Sequence, residues 1–128
     1  MDLDERLRTD RNVWLATVRP DGSPHLTPIW FVWVDDRMWV CTTSRAVKTR
    51  NVLVEPRVML SLESGDDPVV AEGTVFVMGH PYPQQVLDAF SDKFQWNLID
   101  PLDPDGPFDA LWEITVTKWL MGGPPKSP

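Results

Sequence analysis

The chain has a single cysteine, Cys41, so no internal disulfide can form and the fold must rest on packing. It has only two histidines, His25 and His80, too few and too far apart for ordinary metal-ligand spacing. No metal centre is expected. Basic residues are scarce: 12 Lys and Arg stand against 19 Asp and Glu, a formal net charge of −7. That balance excludes the broad basic face on which nonspecific nucleic-acid binding depends. No apolar run approaches the length of a membrane span, and the charged stretch Met1–Asp10 lacks the apolar centre of a signal peptide. A cytoplasmic protein that binds neither membrane nor nucleic acid is expected. There is no dinucleotide-binding glycine fingerprint and no P-loop, and Ser44 and Ser61 lack an elbow motif with matched His and Asp. Cys41 has no basic activator beside it in sequence and reads as a buried structural thiol.

What is present is a soluble-globular composition over 128 residues, with 42% hydrophobic and 24% charged. That length suits one domain, 1–128, with a core of its own. The seven tryptophans are many for so short a chain, and point to an interface or a flat-ligand site as well as a core. Leu3 and Leu7 predict a short N-terminal helix over Met1–Arg11. Strands are predicted over Asn12–Val18, His25–Val34, Arg37–Thr43, Arg57–Glu63, Val69–Met78 and Phe108–Val116, the last extending toward Met121. Pro20-Asp21-Gly22 supplies a tight turn, and Gly73 marks a bulge or close approach. Helical spacing covers Ser44–Glu55, with Val47, Val52 and Leu53 inward, and Pro81–Trp96, with Val86, Leu87, Phe90 and Phe94 on one stripe. Residues 122–128 read as a mobile tail. About six strands with short turns and few helices make an all-β barrel.

The second strand is apolar on both faces. Thr27, Ile29, Phe31 and Trp33 alternate with Leu26, Pro28, Trp30, Val32 and Val34. One face belongs to the barrel interior and the other to a partner or ligand, so a homodimer is expected.

The segment with most chemistry is Thr42-Thr43-Ser44-Arg45-Ala46-Val47-Lys48-Thr49-Arg50-Asn51, which ends a strand and opens a helix. Thr43 or Ser44 can cap that helix. Arg45 and Lys48 are cations near its positive end, a conflict of roughly 0.3–1 kcal/mol each when exposed. A phosphate at the helix start removes the conflict. The alternative is a solvated face whose charges find partners such as Glu55 or Asp36.

The run from Asn12 to Thr74 resembles the flavin/deazaflavin split-barrel oxidoreductases, the pyridoxamine-phosphate-oxidase-like group. Leu15-Ala16-Thr17, Asp21-Gly22-Ser23-Pro24, Pro28-Ile29-Trp30-Phe31, Lys48-Thr49-Arg50-Asn51-Val52, Pro56-Arg57-Val58 and Ala71-Glu72-Gly73-Thr74 carry it, in that order. The resemblance implies a six-stranded split β-barrel, a homodimer, and a cofactor in a groove between subunits. It implies that Lys48 and Arg50 meet the cofactor phosphate with Thr43 and Ser44 assisting, that Asn51 braces the helix or the cofactor, and that Pro28, Ile29 and Trp30 run along the tricyclic ring. Where many relatives carry an arginine two residues before the lysine, this chain has Ala46, with Arg45 one position earlier. The likeness is nearer the deazaflavin-using branch, which implies F420 or FMN as cofactor; heme- and biliverdin-binding members share the fold.

Trp96 and Trp119 read as core or dimer packing, or as reaching a partner's cofactor ring. His25 reads as a cleft-rim or solvent histidine, and His80 as a loop histidine. The expected function is hydride transfer between F420 or FMN and a small unsaturated or electrophilic substrate. No side chain is assigned a catalytic role, because the cofactor carries the reactive atom. The alternative is a non-catalytic carrier or store of a cofactor or tetrapyrrole.

Overall fold

The computed structural model describes residues 1–125. Its elements are α1 (Leu3–Thr9), β1 (Asn12–Val18), β2 (Pro24–Trp30), β3 (Val32–Val34), β4 (Arg37–Thr42), α2 (Val47–Val54), β5 (Arg57–Ser61), β6 (Val70–Met78), α3 (Gln84–Phe94) and β7 (Ala110–Met121). The seven strands form one antiparallel sheet in the order β2-β1-β5-β6-β7-β4-β3. Its two end strands, β2 and β3, are joined in the chain by Phe31 alone. The sheet therefore curls until its ends meet, and there it is closed by the chain rather than by a ladder. That is a split β-barrel.

The expected strand His25–Val34 is thus two strands, and the count rises from six to seven. The break falls where alternation fails: Phe31 and Val32 are adjacent and both buried. Phe31 enters the barrel core, and Val32 enters a second core beneath α3. The backbone freed by the break finds other partners. Phe31 N–H donates to Arg11 C=O at 3.2 Å, and Lys93 Nζ donates to Phe31 C=O at 2.9 Å. The Lys93 ammonium also lies 3.9 Å from the centre of the Phe31 ring. Burial pushes Lys93 down to about 8.

The turns follow local chemistry. Gly22 takes φ +88°, and Asp21 Oδ1 accepts from Ser23 N–H at 2.9 Å, as the Pro-Asp-Gly signal requires. Asp35 and Asp36, both at φ 56°, make the two-residue hairpin between β3 and β4. At Gly73 the β6–β7 register shifts, and a Cβ there would lie 2.9 Å from Thr115 C=O. Pro24 and Pro28 stand at the same parity on β2, which pairs only with β1. A proline is accommodated where its missing N–H points away from the ladder, so both blunt the free edge of β2.

The barrel core holds Val13, Leu15, Phe31, Met38, Val40, Val58, Leu60, Trp112 and Ile114. Successive strand residues face opposite ways. Trp39, Cys41 and Leu111 therefore point out of the barrel, where α3 covers them with Val86, Phe90 and Phe94. These three are the predicted stripe, with Leu87 half-buried at its edge. The stripe predicted for α2 is different in the structure. Val52 is buried, but Val47 and Leu53 are exposed, and Thr49 and Asn51 point inward instead. Among the described residues no helix is long and apolar enough to cross a membrane. Of the segment expected to be a mobile tail, a Cβ at Gly123 would lie 2.5 Å from Trp119 Cβ, and residues 126–128 are outside those described.

Cys41 sits in the second core, 3.7 Å from Phe108 C=O and 3.9 Å from the Tyr82 hydroxyl. Burial pushes its thiol up to about 12. The thiol therefore stays protonated at pH 8, and the native protein should react with a maleimide only as fast as it unfolds. Rapid stoichiometric labelling of the native protein would contradict this burial.

Candidate functional site

The corner between β4 and α2 is built from polar contacts. Thr42 and Thr43 are half-buried at the end of β4. Thr43 C=O accepts from Ala46 N–H at 3.2 Å and from Thr49 Oγ1 at 2.8 Å, which closes the turn. The N-cap of α2 is Ala46, with no side-chain cap and no acidic residue in the first turn. The expected cap from Thr43 or Ser44 does not form. The helix begins later, at Val47, and Ser44 is engaged elsewhere. Ser44 N–H donates to Asp109 Oδ1 at 2.7 Å, and Ser44 Oγ donates to Asp109 Oδ2 at 2.8 Å. These bonds, the backbone one first, hold the Asp109 carboxyl below its usual range, with Arg45 adding its charge.

Helix α2 is fixed to the barrel by Asn51. Its Nδ2 donates to Thr17 Oγ1 on β1 at 3.0 Å, and both side chains are buried. Asn51 thus braces the helix. With Asn51 inward, Lys48 points along the free strand β2, where its Nζ donates to Thr27 Oγ1 at 3.3 Å. Lys48 is half-buried, and burial holds its ammonium below the ordinary lysine value. Among the described residues, the ion pairs are made by Arg6, Arg37 and Arg57, and none by Arg45, Lys48 or Arg50. Neither Glu55 nor Asp36 partners them; Glu55 pairs with Arg57. Arg45 and Arg50 are exposed at the corner.

Two residues not singled out for this site join it. His25 lies two positions before Thr27 on the same face of β2 and is half-buried, its Nδ1 enclosed without a partner. Its half-burial, at the same parity as Thr27 and Ile29, is that of a rim position rather than of free solvent. Asp109, just before β7, brings a carboxylate to the helix start across a sequence separation of 65. No local pattern announces such a contact.

Pro28, Ile29 and Trp30 do not share a face. Ile29 packs against the barrel core, while Pro28 and Trp30 point outward. Trp30 stacks on Phe94 at 4.4 Å between ring centres, with the Arg11 guanidinium 5.0 Å from its ring. A flat ring along 28–30 would meet the free backbone edge of β2 and the side chains of one face only. On the outward face a cavity of about 450 Å³ is lined by Trp14, Ala16, Leu26, Met59 and Leu62, among others. Trp96 packs edge-on against Phe108 and donates its Nε1–H to Asp103, and Trp119 packs against Trp33.

The corner's donor set fits a phosphate. An uncapped helix start presents free N–H groups, and a half-buried ammonium beside it has no carboxylate partner. Asp109 takes up the Ser44 donors, so the anion would be held by Lys48, the arginines and the first N–H groups of α2.

The comparisons agree with this architecture. The family model of pyridoxamine 5'-phosphate oxidase matches residues 2–121, and the chain belongs to that family. Among solved structures it is similar to an F420 reductase, at 25% identity over 91% of this chain and 94% of the other, with a TM-score of 0.72. It is also similar to HutZ, the heme storage protein from Vibrio cholerae, at 19% identity over 95% and 98%, TM-score 0.73. A FAD-binding protein from Mesorhizobium loti follows at 18% identity over 91% and 88%, TM-score 0.67. The last two likenesses establish the fold alone. No curated protein matches the sequence.

Proposed function

We propose that this chain is a cytoplasmic oxidoreductase that binds a phosphate-bearing deazaflavin or flavin, F420 or FMN, and passes hydride between it and a small electrophilic or unsaturated substrate. The observation that carries the reading is Lys48: a half-buried ammonium, resting on the Thr27 hydroxyl, without a carboxylate partner, at an uncapped helix start. Family membership and the likeness to an F420 reductase support it. The cofactor, when bound, supplies the hydride chemistry. The chain's part is to bind the phosphate through Lys48, Arg50 and the start of α2, to offer the free edge of β2 to the ring, and to exclude water.

The second reading, a carrier or store without turnover, rests on the corner itself. Asp109 is occupied by Ser44 and His25 stands alone on the Thr27 face, so among the described residues no hydrogen-bonded proton donor–acceptor pair stands beside Lys48. The likeness to a heme storage protein is in keeping with it. Oxidation of the bound reduced cofactor by candidate acceptors separates the two readings, since only the first requires turnover.

A second copy of the chain completes the site in this proposal. The outward face of β1, β2 and β5 exposes Trp14 at 41%, Leu26 at 61% and Met59 at 42%, around the apolar cavity. An exposed cluster of large apolar side chains marks an interface. Sedimentation at micromolar concentration should give a dimer; a stable monomer would remove this part of the proposal.

Lys48→Ala should leave the fold intact, since alanine favours helix and Lys48 makes a single hydrogen bond. It should weaken binding of FMN or F420 by about 1.5–3 kcal/mol, roughly ten- to a hundredfold, as for a lost bond between charged groups. The analogue without phosphate should bind both proteins alike. Equal binding of the phosphorylated cofactor by wild type and variant would show that Lys48 is a solvated charge.

A further inference from the structure

The corner that attracts an anion already contains one of its own. The Asp109 carboxylate accepts from Ser44 N–H and Ser44 Oγ–H, two donors at the approach to α2. An incoming phosphate therefore meets Arg45, Lys48 and Arg50 as attraction and Asp109 as repulsion. We propose that Asp109 is a specificity-determining residue that reduces the advantage a doubly charged phosphomonoester would otherwise hold over a singly charged phosphodiester at this corner. The proposal rests on the reading of Lys48 as a phosphate ligand.

The selection acts through charge. Coulomb energy scales with the ligand's charge at a given distance, so a resident carboxylate opposes a dianion twice as strongly, in free energy, as a monoanion. A factor of about three against a monoanion becomes a factor of about ten against a dianion in the same place. Apart from Asp109 the charged groups at the corner are cations: Arg45 in the turn, and Lys48 and Arg50 on α2. His25 on β2 is the remaining titratable group on the Thr27 face. The same scaling doubles the cations' attraction for a dianion, so Asp109 acts by cutting down the advantage that the cations give the monoester. A phosphodiester is the linkage of a cofactor that continues beyond its phosphate, as F420 does. FMN ends in a phosphomonoester, whose second ionisation lies near pH 6.

Asp109 also forms the corner, so a purely structural role must be told apart from charge selection. Three ligands with one ring separate them: a deazaflavin alcohol, its methyl phosphodiester and its phosphomonoester. Their dissociation constants are read from intrinsic Trp fluorescence at pH 8 and pH 5 for wild type, Asp109→Asn and Asp109→Ser. Two neutral variants guard against a folding defect in one of them, and melting temperature reports on it. The quantity compared is the ratio of wild-type to variant dissociation constants, in which ring affinity common to both proteins cancels.

At pH 8 the expected ratios are about one for the alcohol, about three for the diester and about ten for the monoester. At pH 5, where the monoester has taken up a proton, its ratio should fall to that of the diester. Equal ratios for all three ligands, or weaker binding of both phosphates by the variants, would make Asp109 a structural residue and overturn the proposal. If the wild type does not distinguish alcohol from phosphates, and Lys48→Ala changes nothing, the phosphate reading itself fails and this proposal falls with it. A Lys48 effect without charge-graded Asp109 ratios overturns the selectivity alone.

Discussion

A hydrogen bond closed off from water, Asn51 Nδ2 to Thr17 Oγ1, decides how α2 lies on the barrel. An amide and a hydroxyl buried together are costly to separate, since each would be left unpaired at about 1–3 kcal/mol. With Asn51 turned in, Leu53, about 200° around the helix, goes to solvent and Lys48, about 60° away, reaches over to β2, while Val47 is exposed as the first residue of the helix. Thr49, bonded to Thr43 C=O, fixes the other end of the same turn. The position of the one half-buried cation at the corner is therefore a consequence of two polar contacts that are structural.

The barrel closure acts on the other side of the same strand. β2 is a free edge because the chain leaves the sheet at Phe31 and re-enters it on the far side as β3. Lys93, Arg11 and the Phe94 ring hold that crossing in place. The result is a strand with a cation on one face, an apolar cavity on the other and an unpaired backbone edge between. That combination suits a ligand with a flat ring and an anionic arm. The electrostatics are balanced rather than simply attractive, because Asp109 brings a carboxylate into the corner that Lys48 and the arginines make positive.

Features written in local chemistry were legible in the sequence. The tight turn at Asp21-Gly22, the bulge at Gly73, and the Val86–Phe90–Phe94 stripe all follow from residue type and spacing. The break at Phe31 was not legible, because two neighbouring apolar residues enter two different cores and pattern alone sees one continuous strand. The inward face of α2 was misread for a related reason. Hydrophobicity ranks Val47 and Leu53 above Thr49 and Asn51, yet the open end of the barrel offers Thr17 Oγ1 and Thr43 C=O, which only polar side chains can satisfy. At the corner, Lys48 was singled out through the conflict of a cation with a helix start. Asp109 was missed because its contact with Ser44 is made by tertiary structure alone.

The central claim is that the half-buried Lys48 ammonium, whose charged form burial disfavours, is the partner of a phosphate that would favour that form again. A suppressed lysine bears less than its full proton at a pH near its lowered value, and a bound anion raises that value again. Binding of the phosphorylated cofactor at alkaline pH must then take up protons, and affinity must fall as pH rises through the lysine's value in the complex. Calorimetric titration in buffers of different ionisation enthalpy measures that uptake directly. The account predicts net proton uptake for the phosphorylated cofactor as the buffer is made alkaline toward the lysine's lowered value, and none for its dephosphorylated analogue or for Lys48→Ala. Phosphate-dependent binding without proton uptake in the wild type would contradict it.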